Sequence, residues 1–180
     1  MKAKKYWPLV STLLCFLLGV QCLLYIQAQR RNEEHFIQNF CTIFSVFSTE
    51  TIACTDFKSL DGPKLSILYN SLSEASIYCT IARPVSVGLL KPPTSFASDF
   101  DTFDLALLQQ HLGSLATKVS DGETLDSDDL EWFSSLQQNL IILNNALYQD
   151  SSNLREEAYQ ETYFISAFQS FLSALESQGD

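Results

Sequence analysis

"TLDSDDLEWFSSLQQNLIILNNAL", residues 124–147, settles the fold class of this chain. Leu130, Phe133, Leu136, Leu140, Leu143 and Leu147 recur at intervals of three and four, which is one face of an α-helix and not the alternation of a strand. The start of the helix is written in its chemistry. Asp126 is placed to accept from the orphan amides of the first turn, Asp128 and Asp129 complement the positive helix end, and Leu125 can staple onto Leu130.

The same period extends in both directions. Upstream, "SDGE" at 120–123 closes a helix expected over about 99–119, with Leu105, Leu108, Leu112, Leu115 and Val119 on one face. Before it, Asp61-Gly62-Pro63 forms a turn with proline suited to a first helical turn, and a helix over 63–82 aligns Leu65, Leu68, Leu72, Ala75, Cys79 and Ala82. Downstream, residues 153–176 carry Leu154, Ala158, Phe164, Phe168, Phe171, Leu172 and Leu175, and Glu156 and Glu157 read as first-turn acids. Residues 30–48 place Phe36, Phe40, Ile43 and Phe47 on one stripe and Ile37, Cys41 and Phe44 on a second. A helix apolar on more than one side is either central or in contact with a partner, and the central position is the simpler expectation.

One segment interrupts the pattern. "ARPVSVGLLKPPTSF", residues 82–96, holds three of the five prolines, and Pro92-Pro93 cannot sit inside a helix. Its apolar groups make it an extended crossover packed over the end of the helices, with a binding loop as the functional alternative. No period-two run occurs, so the class is all-α. The expected architecture is a single transmembrane helix followed by an antiparallel four- to five-helix bundle.

The membrane element is Trp7–Ile26, 20 residues without a formal charge. As a helix that length spans roughly 30 Å, the thickness of a bilayer's hydrocarbon. It is longer than a secretory signal's apolar region, and Ile26-Gln27-Ala28 puts a large residue where a cleavage site wants a small one. Gln21 is likewise a poor residue before a lipidated Cys22. The expectation is a retained anchor: 1–6 cytoplasmic, 7–26 in lipid, 27–180 an extracytoplasmic helical domain of a single-pass cell-membrane protein. Lys2, Lys4 and Lys5 precede the segment, whereas Arg30 and Arg31 are met at once by Glu33 and Glu34, which favours the N-terminus inside. Trp7 and Tyr25 suit the two interfaces. No Gly or Pro separates the anchor from residues 30–48, so the first helix is expected to run outward as a stalk.

All 21 Asp and Glu lie beyond the anchor against eight Lys and Arg, a net of about −13. Such a surface repels nucleic acid and anionic lipid headgroups, which excludes nucleic acid as a partner; solubility is its ordinary meaning. Cys15 and Cys22 fall in the apolar segment. Cys41, Cys54 and Cys79 face an oxidising compartment, but their spacing is no zinc site, and Cys41 and Cys79 lie on apolar stripes. Free buried thiols are expected, with one disulfide as the alternative.

Chemistry is sparse. His35 reads as a solvated stalk residue and His111 as an imidazole at the edge of a leucine stripe, and neither joins the Glu-x-x-His pairing of a di-metal bundle. Asp99, Asp101 and Asp104 lack the glycine and closing Glu of a calcium loop. No nucleophile elbow, P-loop or dinucleotide glycine pattern occurs. The sequence nominates no catalytic residue, cofactor or metal. An enzyme ranks below two other readings: an interaction module for an envelope protein or a second copy, and a ligand-sensing bundle that would need a partner for output, since about six residues precede the anchor. The candidate contacts are Phe44 on the second stripe of the first helix and Val87, Leu89, Leu90, Pro92 and Pro93 in the crossover.

The order of anchor, aromatic helix, "LYNSLSEAS" helix (68–76), "VGLLKPP" crossover (87–93), helix, then "ETLDSDDLEWFSSLQQNLIILNNAL" (123–147) resembles the N-terminal half of YpeB-type sporulation and germination membrane proteins of spore-forming Firmicutes. The similarity runs over roughly residues 5–149 and is strongest from Leu125 to Leu147. It implies a non-enzymatic protein of the spore or cell envelope that holds or stabilises a partner, such as a cortex-lytic hydrolase.

Overall fold

Capping and core periodicity account for most of the helix boundaries. A computed structural model describes residues 7–54, 60–81, 105–150 and 153–176. They form five α-helices: α1 (Trp7–Ala53), α2 (Gly62–Ile81), α3 (Ala106–Ser120), α4 (Ser127–Leu147) and α5 (Glu161–Glu176), with a 3₁₀ turn at Glu156–Tyr159. Among the described residues the only β-type pairing is one isolated antiparallel bridge between Tyr148 and Leu154. The chain divides into two compact units, Met1–His35 and Phe36–Asp180.

In the first unit α1 is long and apolar, and its side chains from Ser11 to Ala28 are exposed all round. Leu13, Phe16, Leu17, Leu23, Leu24 and Ile26 are each at least half exposed. It is the one helix among the described residues with the length and composition to cross a membrane.

In the second unit each helix begins or ends where its sequence supplies a hydrogen-bond partner. Asp61 Oδ1 accepts from the Lys64 amide at 2.9 Å, satisfying an orphan donor at the start of α2. α3 closes through Gly122, whose φ of +80° suits a residue without a side chain, and the Glu123 amide donates to the Lys118 carbonyl at 3.0 Å. α4 opens with a complete capping box. Asp126 Oδ1 accepts from the amides of Asp128 (3.0 Å) and Asp129 (2.9 Å), and Asp129 Oδ2 accepts from the Asp126 amide at 3.1 Å.

The last helix starts later than its periodicity suggests. Residues 153–155 are not helical: Gln149 donates to the Asn153 carbonyl and Arg155 to the Leu147 carbonyl, both at 2.8 Å, which closes the Tyr148–Leu154 bridge. Arg155 Nε then donates to the carbonyls of Asn145 (3.2 Å) and Tyr148 (3.1 Å) at the C-terminal end of α4, where cations and donors are favoured. Glu156 and Glu157 consequently belong to the 3₁₀ turn, and α5 begins at Glu161.

Phe36–Ala53 of α1 lies among the other helices. Phe36, Ile37, Phe40, Cys41, Phe44 and Phe47 are all buried, so both stripes of this helix face the core. Phe36 stacks on Tyr78 of α2 at 5.5 Å, while Phe40 and Phe44 each meet Phe168 of α5 edge-on at 5.2 Å. Toward α4 the same segment also makes hydrogen bonds. Tyr148 Oη donates to the Cys41 carbonyl (3.0 Å), Ser48 Oγ to Asn144 Oδ1 (3.1 Å), and Gln137 Nε2 to the carbonyls of Thr51 and Cys54 (2.7 Å each). As α1 advances, its partners on α4 recede. α2 packs against α3, where Gln109 Nε2 donates to Ser73 Oγ, and α4 packs against α5. No buried side-chain nitrogen or oxygen among the described residues lacks a partner.

Leu140 and Phe168 lie at the centre of this core, with 0% and 1% exposure. Leu140→Ala should destabilise the domain by about 2–5 kcal/mol and Phe168→Ala by about 3–5 kcal/mol in denaturant titration. A loss below about half a kcal/mol at Leu140 would place it outside the core.

Candidate functional site

The contacts nominated from the sequence divide sharply. Phe44 does not line a free surface: it is 3% exposed, and its ring touches Phe40, Phe47, Phe168 and Phe171 at 5.2–6.4 Å between centroids. Its apolar area is already covered by α5, so the reading of its stripe as a partner surface is replaced by a core role. Val87, Leu89, Leu90, Pro92 and Pro93 lie outside the described residues, as do Asp99, Asp101 and Asp104.

Charge and aromatic character converge elsewhere, at the junction of α3 and α4. A cleft of about 600 Å³ there is lined by His111, Leu115, Lys118, Asp126, Asp128, Asp129, Glu131 and Trp132. The short turn after Gly122 folds α4 back beside α3, bringing the end of one helix against the start of the other. His111 is exposed and stacks on Trp132, with ring centroids 4.7 Å apart and planes 14° from parallel. Lys118 Nζ donates to both Asp129 oxygens at 2.8 Å and to Asp126 Oδ2 at 3.3 Å.

These bonds shift the titrations of the groups that make them. The hydrogen bond to Asp129, then that to Asp126, raises Lys118 above the ordinary lysine range. The Asp129 amide, then the Lys118 ammonium, holds Asp126 below the ordinary aspartate range. The site thus neutralises part of its own charge: one ammonium serves two of four carboxylates, and those two also cap α4. The remaining carboxylates, Asp128 and Glu131, are exposed.

None of the five cysteines forms a disulfide. Burial pushes the Cys41 thiol up to about 12, leaving it protonated and a poor nucleophile at neutral pH. Burial also raises Cys54, whose thiol donates to the Glu50 carbonyl at 3.3 Å. Among the described residues no group of three His, Cys, Asp or Glu is arranged to hold a metal ion.

No family model, curated protein or solved structure matches the chain. What the cleft can do follows from its own side chains: it presents an aromatic pair beside an acidic rim. The sequence marked Asp126, Asp128 and Asp129 as helix-start residues but not the partner that Asp126 and Asp129 share. The available signal was Lys118, in the last turn of α3 and 8 and 11 residues before two aspartates, with a glycine turn between.

The sign of the pH dependence follows from the two shifts. Asp126 has a folded pKa below its unfolded value, so its contribution is present above about pH 4 and is lost as pH falls through the folded value. Lys118 has a raised folded pKa, so its contribution is present below its ordinary value near 10.5 and is lost as pH rises through the folded one. Thermal unfolding midpoints should therefore be nearly flat between these limits and fall outside them. Asp126→Ala should lower the midpoint and flatten the acid limb. Asp126→Asn should keep the cap but lose sensitivity to added salt, because the ion pair is solvent-screened.

Proposed function

We propose that the protein is a single-pass, membrane-anchored interaction module of the cell or spore envelope. Trp7–Ile26 is the anchor, the N-terminus is cytoplasmic, and an extracytoplasmic antiparallel five-helix bundle holds another envelope protein or a second copy. The observation that carries this reading is the exposure of the apolar segment. A helix with Leu13, Phe16, Leu17, Leu23 and Leu24 all more than half exposed has no protein neighbour to bury them, and lipid is the solvent that removes that cost. The excess of Lys before the segment supports the orientation. The opposed registers of α1 with α4 and of α2 with α3 support the bundle.

Within this reading the outer domain acts by position and contact. A thiol held protonated at Cys41 and a lysine committed to two carboxylates are poor catalytic groups. The resemblance over residues 5–149 to YpeB-type proteins favours the same role. The cleft at His111 and Trp132 favours a second reading, a bundle that senses a small cationic or aromatic molecule and signals through a partner.

Expressed in a Gram-positive host, the chain should stay at full length in the membrane fraction, with its C-terminus open to protease added outside. A soluble form beginning near Gln29 would overturn the anchor. Photocrosslinking from positions 87 and 90 should capture one specific envelope protein or a second copy. No protein adduct, together with a small molecule co-purifying with the domain and lost on Trp132→Ala, would instead establish the sensor.

A further inference from the structure

Lys118 answers only part of the charge around it. Four carboxylates line the junction cleft against one ammonium, and that ammonium is engaged with Asp126 and Asp129. Asp128 and Glu131 are exposed, and no cation among the described residues pairs with either. Every residue of the cleft belongs to the Phe36–Asp180 unit.

The two helices present matching rows to this space. His111, Leu115 and Lys118 follow one another at intervals of four and three along α3, and Glu131 and Trp132 lie three and four residues after Asp128 on α4. The ion pairs of Lys118 stand at one end. The Trp132–His111 stack, 4.7 Å between centroids and 14° from parallel, stands two turns earlier on α3, roughly 10 Å along that helix. Leu115, buried, lies between them on the same row.

This lining selects its occupant by charge and by shape. An anion meets a net of three negative charges, four carboxylates less one ammonium. Among the described residues no group of three His, Cys, Asp or Glu is arranged for a metal ion. A neutral aromatic molecule gains contact with the rings but takes water from Asp128 and Glu131 and gives nothing back, which is unfavourable. A bare ammonium is compact and strongly hydrated. A guanidinium is planar and more weakly hydrated; it stacks on indole and offers paired donors to a carboxylate. The positive end of α4, about half a unit charge, opposes a cation, but the capping box already meets it and two further carboxylates outweigh it.

Deepening the ligand-sensing reading above, on which it rests, we infer that the junction cleft is a guanidinium site. The planar head packs against the Trp132–His111 pair, and Glu131 and Asp128 accept its N–H donors. A free alkylguanidine and an arginine side chain of a partner present this same head, and a cleft of about 600 Å³ accommodates either.

The test uses the full chain in detergent micelles with Trp7→Phe, which leaves Trp132 as the only indole. Its emission is followed at constant ionic strength against ethylguanidinium, its neutral isostere ethylurea, the peptide Gly-Arg-Gly, and benzyl alcohol. A guanidinium probe should saturate the response at concentrations about tenfold below any needed for ethylurea. Glu131→Gln combined with Asp128→Asn should weaken that binding by roughly three- to tenfold, with the Asp126–Asp129 cap intact, whereas Glu123→Gln outside the cleft should leave it unchanged. Saturation by ethylguanidinium makes the free head group sufficient; saturation by Gly-Arg-Gly alone assigns the site to an arginine of a partner. Ethylurea binding as well as ethylguanidinium, or an unchanged affinity in the double variant, would overturn the inference. A response to benzyl alcohol without one to either guanidinium probe would overturn it and leave the sensing reading standing. Silence toward all four would overturn both.

Discussion

The two apolar stripes of α1 cannot be served by a single neighbour. Ile37, Cys41 and Phe44 form a second buried stripe beside Phe36, Phe40 and Phe47, and removing so wide an apolar arc from water requires helices on more than one flank. That requirement organises the second unit. α5 brings Phe164, Phe168 and Phe171 against one flank, and α2 brings Tyr78 to the Phe36 end. Aromatic edge-to-face pairs of this kind each contribute about 0.5–1.5 kcal/mol beyond the area they bury, and they prefer certain angles. The cluster therefore specifies orientation as well as supplying stability.

The α4 flank works differently. There α1 meets Tyr148, Asn144 and Gln137 through hydrogen bonds to its own carbonyls and to Ser48. Gln137 donates to two carbonyls at the C-terminal end of α1, those of Thr51, which also accepts from the Cys54 amide, and of Cys54. Hydrogen bonds are directional, so each of these contacts depends on the register of α1 against α4.

Along the chain, α1 is written for two different surroundings. Up to Ile26 it is apolar on every side and carries no charge; Arg30 to Glu34 is charged; from Phe36 it is apolar on two sides. Each change in pattern is a change in what must cover the helix: lipid in the proposed reading, then water, then protein. The acidic surface of the rest of the domain is kept off its apolar interior by capping, with Asp61, Asp126 and Asp129 each accepting backbone donors at helix starts.

By itself the sequence determined the all-helical class, nearly every core position among the described residues and the start of α4, because periodicity and capping are local: they act within four residues of one another. The buried leucines of α2, α3 and α4 are those that the spacing aligned. Where it misplaced a boundary, at residue 153, the cause was a contact that periodicity does not encode, the Tyr148–Leu154 bridge with Arg155 turned onto the end of α4. Only the tertiary structure decided what covers the second stripe of α1. The spacing of Phe44 is the same for a core residue and for a docking residue, and the presence of Phe168 and Phe171 against it is what makes it core. The same holds for the junction cleft. His111 and Trp132 lie 21 residues apart, and so do the α-carbons of many pairs that never meet. Their stacking depends on the turn at Gly122 folding one helix back beside the other, a relation between elements and not a property of either.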